Sequence, residues 1–234
     1  TTEVAESGTT DTFTVVLDAE PASGVVLTIT SDDTGEATVN SPLTFTSANW
    51  DTPQTVTITG VDDNLVDGDQ ASTITISVDA ANSEDGFDGL NDETVSATTT
   101  DDDVAGFTIV ESDGSTEVAE SGTTDTFTIV LDAQPTSDVV MSVSSSDTAE
   151  TTVNPSSITF TSADWDTPQT VTVTGADEQI VDGDQVTAIT ISVLDTASDD
   201  NFDDLSDQTV SATTTDDDVA GFTIVETDGS TEVD

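Results

Sequence analysis

Between Phe107 and Ala212 the apolar residues fall on alternate positions, in short runs separated by turn formers. Phe107 and Ile109; Phe127, Ile129 and Leu131; Val139, Met141 and Val143; Ile158 and Phe160; Val171 and Val173; Ile189, Ile191 and Val193; and Val210 and Ala212 each mark one face of a run. Thr and Ser fill most of the positions between them. A period of two with β-branched polar residues on the second face predicts half-buried antiparallel strands. Clusters of Gly, Pro, Asp, Asn and Ser predict the turns that join them. No stretch carries a helical period. Seven or so strands in about 115 residues predict an all-β fold, a seven-stranded antiparallel β-sandwich of immunoglobulin-like architecture.

The pattern occurs twice, as a tandem repeat. TEVAESGTTDTFT begins at Thr2 and again at Thr116, and NWDTPQTVTITG around Trp50 returns as DWDTPQTVTVTG around Trp165. The seam between modules, TTTDDDVAGFTIVE from Thr98 to Glu111, recurs from Thr213 to Glu226. Residues 1–103 therefore read as a first sandwich whose opening strand is missing. Residues 104–218 read as a complete sandwich, and 219–234 as the first strand of a further repeat. Trp50 and Trp165 read as structural, with sugar stacking as the alternative.

Charge changes the picture. The chain has 50 Asp plus Glu, no Lys, Arg or His, and a formal net charge of −50. No carboxylate can be neutralised by an internal salt bridge. Two like charges about 4 Å apart repel by roughly 1 kcal/mol in water and by more beside protein. External cations are thus expected to be part of the folded structure. Nucleic acid and anionic membrane surfaces are excluded as partners by the same sign. With 33% hydrophobic residues the composition approaches that of disordered chains, but a disordered acidic tail has no need of strict alternation. There is no Cys or His, so the donors are oxygens, which suit calcium or magnesium rather than zinc. Halophilic adaptation is the competing account of the acidity. It does not require the loss of every Lys and Arg, and it predicts no clustering.

If strands A to G alternate in direction, the A–B, C–D and E–F loops share one end with the exit of strand G. In the second module that end gathers Glu117, Glu120, Asp147, Glu150, Asp177, Glu178, Asp182, Asp184 and Asp216 to Asp218. In the first it gathers Glu3, Glu6, Asp33, Glu36, Asp62, Asp63, Asp67, Asp69 and Asp101 to Asp103. The candidate metal ligands among them are Glu6, Asp33, Asp62, Asp63, Asp67, Asp69, Asp101, Asp102 and Asp103. Their second-module counterparts are Glu120, Asp147, Asp177, Glu178, Asp182, Asp184, Asp216, Asp217 and Asp218. Calcium accepts 6–8 oxygens in irregular geometry, so each tip has donors for roughly two to four ions. The opposite tip, with Asp199, Asp200 and Asp203, is a further source of ligands. VDDNLVDGD lacks the spacing of an EF-hand loop.

DDDVAGFTIVE, VAESGTTDTFTIVLD, ITFTSADWDTPQTVTVTG and VDGDQ resemble the Calx-beta repeats of large bacterial surface proteins. The resemblance covers both modules nearly end to end. It implies a seven-stranded sandwich with calcium at one tip, held by acids of the A–B loop, the E–F loop and the segment after strand G. Those roles fall on Glu6, Asp62, Asp63, Asp67 and Asp101 to Asp103, and on Glu120, Asp177, Glu178, Asp182 and Asp216 to Asp218. The family is named for the regulatory domains of the sodium–calcium exchanger, whose E–F loop is richer in Glu, whereas here Gly68 and Gly183 sit between aspartates.

The expectation is a structural repeat of a long extracellular fibre or adhesin stalk at the cell surface, its junctions bridged and made rigid by Ca2+. An alternative is a subunit that self-assembles head to tail by donating residues 221–227 as a strand. A carbohydrate- or protein-binding module is a third, disfavoured because aromatics are only 4% of the chain. No enzyme is expected: His, Cys, Lys and Tyr are absent, and no pair of acids is marked as a catalytic couple.

Overall fold

The computed structural model describes residues 2–225. The last positions of the expected further strand, and of the 221–227 segment, lie outside the described residues. The chain forms two compact units that divide between Val104 and Ala105.

In the second unit nine strands make two sheets among the described residues. The alternating runs become β9 (Phe107–Glu111), β11 (Thr124–Leu131), β12 (Val139–Ser145), β14 (Ser157–Phe160), β15 (Gln169–Gly175), β16 (Gln185–Val193) and β17 (Gln208–Thr215). Two shorter strands, β10 (Thr116–Ala119) and β13 (Thr151–Asn154), add to them. One sheet runs β10-β17-β16-β12-β14 and the other β13-β15-β11-β9. Their inner faces bury Phe127, Ile129, Met141, Phe160, Ile189 and Ile191 completely. The architecture is an all-β sandwich.

Two features depart from seven antiparallel strands. The opening strand is split: β9 joins one sheet, Gly114 turns the chain at φ 80°, and β10 joins the other. A left-handed backbone of that kind favours glycine. In addition, β10 pairs with β17 in parallel, Thr116 opposite Ala212 and Ala119 opposite Thr215.

The first unit repeats this plan with β1 (Thr2–Ala5), β2 (Thr10–Val15), β3 (Val25–Ser31), β4 (Ala37–Val39), β5 (Leu43–Phe45), β6 (Gln54–Gly60), β7 (Gln70–Val78) and β8 (Glu93–Thr100). Its sheets are β1-β8-β7-β3-β5 and β2-β6-β4, with β1 parallel to β8. Trp50 packs half-buried against the core. Among the described residues, 219–225 form no strand and have no ladder partner.

Candidate metal centre

The parallel pair decides where the carboxylates go. Because β10 and β17 run the same way, both leave the sandwich at one end. Glu120 and Asp216, the residues that follow them, emerge side by side. The amide of Glu120 still donates to Thr215 O at 3.2 Å. Gly122, at φ 84°, then turns the chain back into β11.

Gly175, at the end of β15, faces Ala119 so closely that a Cβ there would collide with the Ala119 carbonyl. Its own amide donates to Thr123 O at 3.1 Å. The close approach presses the end of β10 into the sandwich and carries the Glu120 side chain inward. Gly60, Ala5 and Glu6 repeat the arrangement in the first unit.

Two loops complete the tip. Glu150 precedes β13, and its carbonyl accepts from the amide of Ala176 at 2.8 Å and from Thr214 Oγ1 at 3.4 Å. The loop from Ala176 to Asp184 is anchored by Asp216, whose Oδ2 accepts from the amide of Gly183 at 2.7 Å. Asp216 Oδ1 accepts from the amide of Asp218 at 2.7 Å, which folds the chain after β17 back onto the tip. In the first unit Asp101 does the same for Gly68 and Asp103, at 2.7 Å in each case.

The outcome is a set of carboxylates with oxygens within 4.8 Å of one another: Glu120, Glu150, Glu178 and Asp182; Glu120, Asp216 and Asp218; Glu6, Glu36 and Asp67; and Glu6, Asp63 and Asp103. One glutamate in each unit, Glu6 or Glu120, belongs to both of its unit's groups. The glutamates among them are largely withdrawn from solvent, Glu6, Glu36, Glu120 and Glu150 being 1%, 7%, 0% and 6% exposed, while Asp182 is exposed. Buried oxygens of Glu6, Glu36, Asp67, Asp103, Glu120, Glu150, Glu178 and Asp218 have no hydrogen-bond partner. Leaving a buried polar atom unpartnered is costly, and leaving a buried charge so is costlier still.

The acidities register this. Burial first, then the charge of Asp101, and to a lesser extent those of Asp63 and Glu36, push Glu6 up to about 7, against the opposing effect of the Asp102 amide. Burial followed by neighbouring carboxylates likewise raises Glu36, Asp103, Glu150, Glu178 and Asp218. For Glu120 burial again leads. The amide of Asp217 faces it and offsets part of the rise, without a hydrogen bond of good geometry to either oxygen. Asp216 lies below the usual range because the amides of Asp218 and Gly183 hold its charge.

A carboxyl that is harder to ionise folded than unfolded costs nothing while both states are protonated, and destabilises the folded state once ionisation is forced. Without metal, stability is therefore expected to fall as pH rises from about 4.5 through about 7, the interval spanned by Glu6. Melting in chelator across this interval checks it; a flat or rising profile would mean that the acids are not held together without an ion. The depressed groups, Asp125, Asp164, Asp199 and Asp216, act in the opposite direction and only below about 3.8, their ordinary value.

The remaining expected ligands sit around these groups. Asp33 and Asp147 spend one oxygen on their own turns, accepting from the amides of Gly35 and Ala149 at 2.9 Å. Asp69 and Asp184 face the amides of Asp101 and Asp216 at 3.4 Å. Asp101 lies outside the close groups as the anchor of its loop, and Asp62, Asp102, Asp177 and Asp217 lie outside them too. Glu36 and Glu150 were not among the expected ligands, and each belongs to one of the close groups. Their signal is positional: each is the residue immediately before a short strand whose partner, β6 or β15, leads into the acidic loop. At the opposite tip Asp199 is a structural residue. Despite its burial, Thr136 Oγ1 and the amides of Asn201 and Ser137 hold its charge and keep its acidity below the usual range.

No protein-family model and no curated protein matches the sequence. Among solved structures, domains 4 and 5 of the S-layer protein SbsC align over 81% of this chain and 70% of that one, at 18% identity and a TM-score of 0.37. CBD12 from CALX1.2 aligns over 82% and 76%, at 12% identity and a TM-score of 0.30. The calcium binding domain CBD12 of CALX1.1 aligns over the same shares, at 13% identity and a TM-score of 0.31. Among the described residues no helix is long and apolar enough to cross a membrane.

Proposed function

We propose that each unit binds calcium at this tip in two adjacent positions that share one buried glutamate, Glu6 or Glu120. The observation that carries the reading is the set of buried carboxylate oxygens without partners, in a chain that has no basic side chain to supply one. An all-oxygen, carboxylate-rich and irregular donor set suits calcium better than magnesium, which demands near-octahedral geometry and keeps its waters. Glu36 and Asp67 would hold one ion in the first unit, and Asp63 and Asp103 the other. In the second unit Glu150, Glu178 and Asp182 would hold one, and Asp216 and Asp218 the other.

The ions would fasten three loops to the aspartates that follow the last strand. Those aspartates, Asp101 to Asp103, are also the lead-in to the next module. Neutralising them converts a self-repelling segment into a defined joint. On this reading the chain is a section of a calcium-stiffened extracellular stalk. Millimolar calcium outside cells matches the affinities of low-affinity extracellular modules, and near-identical repeats supply reach rather than recognition.

Titration calorimetry with calcium and with magnesium tests the ion, and X-ray scattering with and without calcium tests the joint. Glu120→Gln keeps the shape of the shared ligand and removes its charge. It is expected to weaken both positions of the second unit by at least about tenfold, the worth of roughly 1.4 kcal/mol, and to raise the metal-free melting temperature. Binding unchanged by this substitution would remove the shared ligand. Scattering profiles that are identical with calcium and chelator would remove the stiffened joint.

A further inference from the structure

The two units carry corresponding acids at the tip, with one difference in length. The loops GVDDNLVDGDQ and GADEQIVDGDQ put Asp63 and Glu178 at the same place, three residues after Gly60 and Gly175. Around them Glu6, Glu36, Asp67 and Asp103 correspond to Glu120, Glu150, Asp182 and Asp218.

One methylene changes the company this carboxylate keeps. Asp63 groups with Glu6 and Asp103, whereas Glu178 groups with Glu120, Glu150 and Asp182. Asp63 is held by its own turn, since its Oδ1 accepts from the amide of Leu65, two residues on, at 2.7 Å. A short carboxylate closes a turn of this kind readily. Glu178 is longer, and its Oε1 is buried without a partner. After burial itself, Glu178 is the neighbour that raises Glu150 most, whereas for Glu36 it is Asp67 and only then Asp63.

The donors therefore divide unequally between the two units. The group around Glu36 has three carboxylates, Glu6, Glu36 and Asp67, and the group around Glu150 has four. In the other group of each unit, Asp63 stands where the second unit has Asp216. That group draws in the first unit on the loop after β6 and on the segment after β8. In the second unit Asp216 and Asp218 both come from the segment after β17. These groups are more than clustered charge, because Glu6, Glu36, Glu120 and Glu150, each 7% exposed or less, hold buried oxygens without a partner.

We propose that the residue at 63 or 178 decides how each tip distributes its ligands between two calcium positions. This rests on the calcium reading above and adds an order to it. Glu178 makes the position around Glu150 the tighter of the two loop positions. Asp63 instead serves the position beside Asp103, where it ties the loop to the segment after the last strand. Ligand charge count and site rigidity tune calcium affinity over several decades. With its fourth carboxylate, the position around Glu150 fills at roughly tenfold lower calcium than the position around Glu36.

Amide NMR of the calcium-free 234-residue chain, titrated with calcium, tests the order. The amides of Gly68 and Gly183 report the two loops, each being bonded to the anchoring aspartate of its own unit. Gly183 is expected to shift at roughly tenfold lower calcium than Gly68. Glu178→Asp is expected to raise the midpoint at Gly183 by roughly tenfold, and Asp63→Glu to lower the midpoint at Gly68 by a similar factor. Both exchanges keep the charge, and each installs the residue that the other unit already carries at that place. Equal midpoints in the parent chain, or a substitution that fails to move its own midpoint, would overturn the proposal and leave calcium binding standing. No shift at either glycine up to about 10 mM calcium, above the range of low-affinity extracellular modules, would remove the calcium reading and this proposal with it.

Discussion

Calcium at about 1 mM is expected to raise the melting temperature of this chain by about 10 °C or more over the same buffer with chelator, and potassium at matched ionic strength is not. The size follows from linkage. An ion present at 100 times its dissociation constant stabilises the state that binds it by about 2.7 kcal/mol. One kcal/mol shifts the melting temperature of a domain near this size by about 4–8 °C. The two positions proposed per unit would increase the effect, and the metal-free state starts from a disadvantage. Carboxylate oxygens within 4.8 Å of one another repel, by roughly 1 kcal/mol per pair in water and a few times that at an effective dielectric of about 20. Ion binding removes that repulsion along with the cost of the unpartnered oxygens. The pH profile should also change sign. Bound calcium requires ionised ligands, so loaded protein loses stability as pH falls, where metal-free protein gains it. Equal melting in calcium and in plain salt would reduce the tip to a solvated acidic surface.

Gly175→Ala is expected to be the most damaging single methyl that can be added to the second unit. The new Cβ would sit inside the contact distance of the Ala119 carbonyl, which is backbone and cannot swing away. Overpacking of this kind costs about 1–3 kcal/mol, occasionally more. β10 or β15 must move apart, and Glu120, the next residue after Ala119, moves with β10. The substitution should therefore lower both the melting temperature in chelator and the calcium affinity. Gly122→Ala also has a cost, because its backbone is left-handed at φ 84° with open space around it. That cost is local to the turn, and most of the affinity should survive. If Gly175→Ala melts and binds like the parent chain, the close approach does not position the shared glutamate.

The alternation of apolar and β-branched residues made the strands legible from sequence. Ile189, Ile191 and Val193, or Val171 and Val173, leave no other economical reading, and β15 and β16 follow. The loops that carry the acids were legible for the same reason, because alternating strand direction sorts loops between two ends. The split of the opening strand was not. TEVA, at 116–119, is too short to display a period, and its partner β17 lies almost a whole module away in sequence. Which acids turn inward was not legible either. Asp147 and Glu150 share a loop and a charge, and only the backbone of that turn sends one to the amide of Ala149 and the other to the buried centre. The reason Gly175 must be glycine is a backbone from a different sheet, which no local pattern carries.

The parallel pair of β10 and β17 has a mechanical consequence. The two strands lie near the entry and the exit of the unit, run the same way, and are joined from Thr116–Ala212 to Ala119–Thr215. Tension applied through the ends of the unit would pull them past each other, so that their cross-strand hydrogen bonds carry the load in shear and yield together. An antiparallel pair in the same place would be peeled open one bond at a time. The carboxylates gather where both strands leave the sandwich, so an ion there would act as a rivet at the loaded end of the clamp.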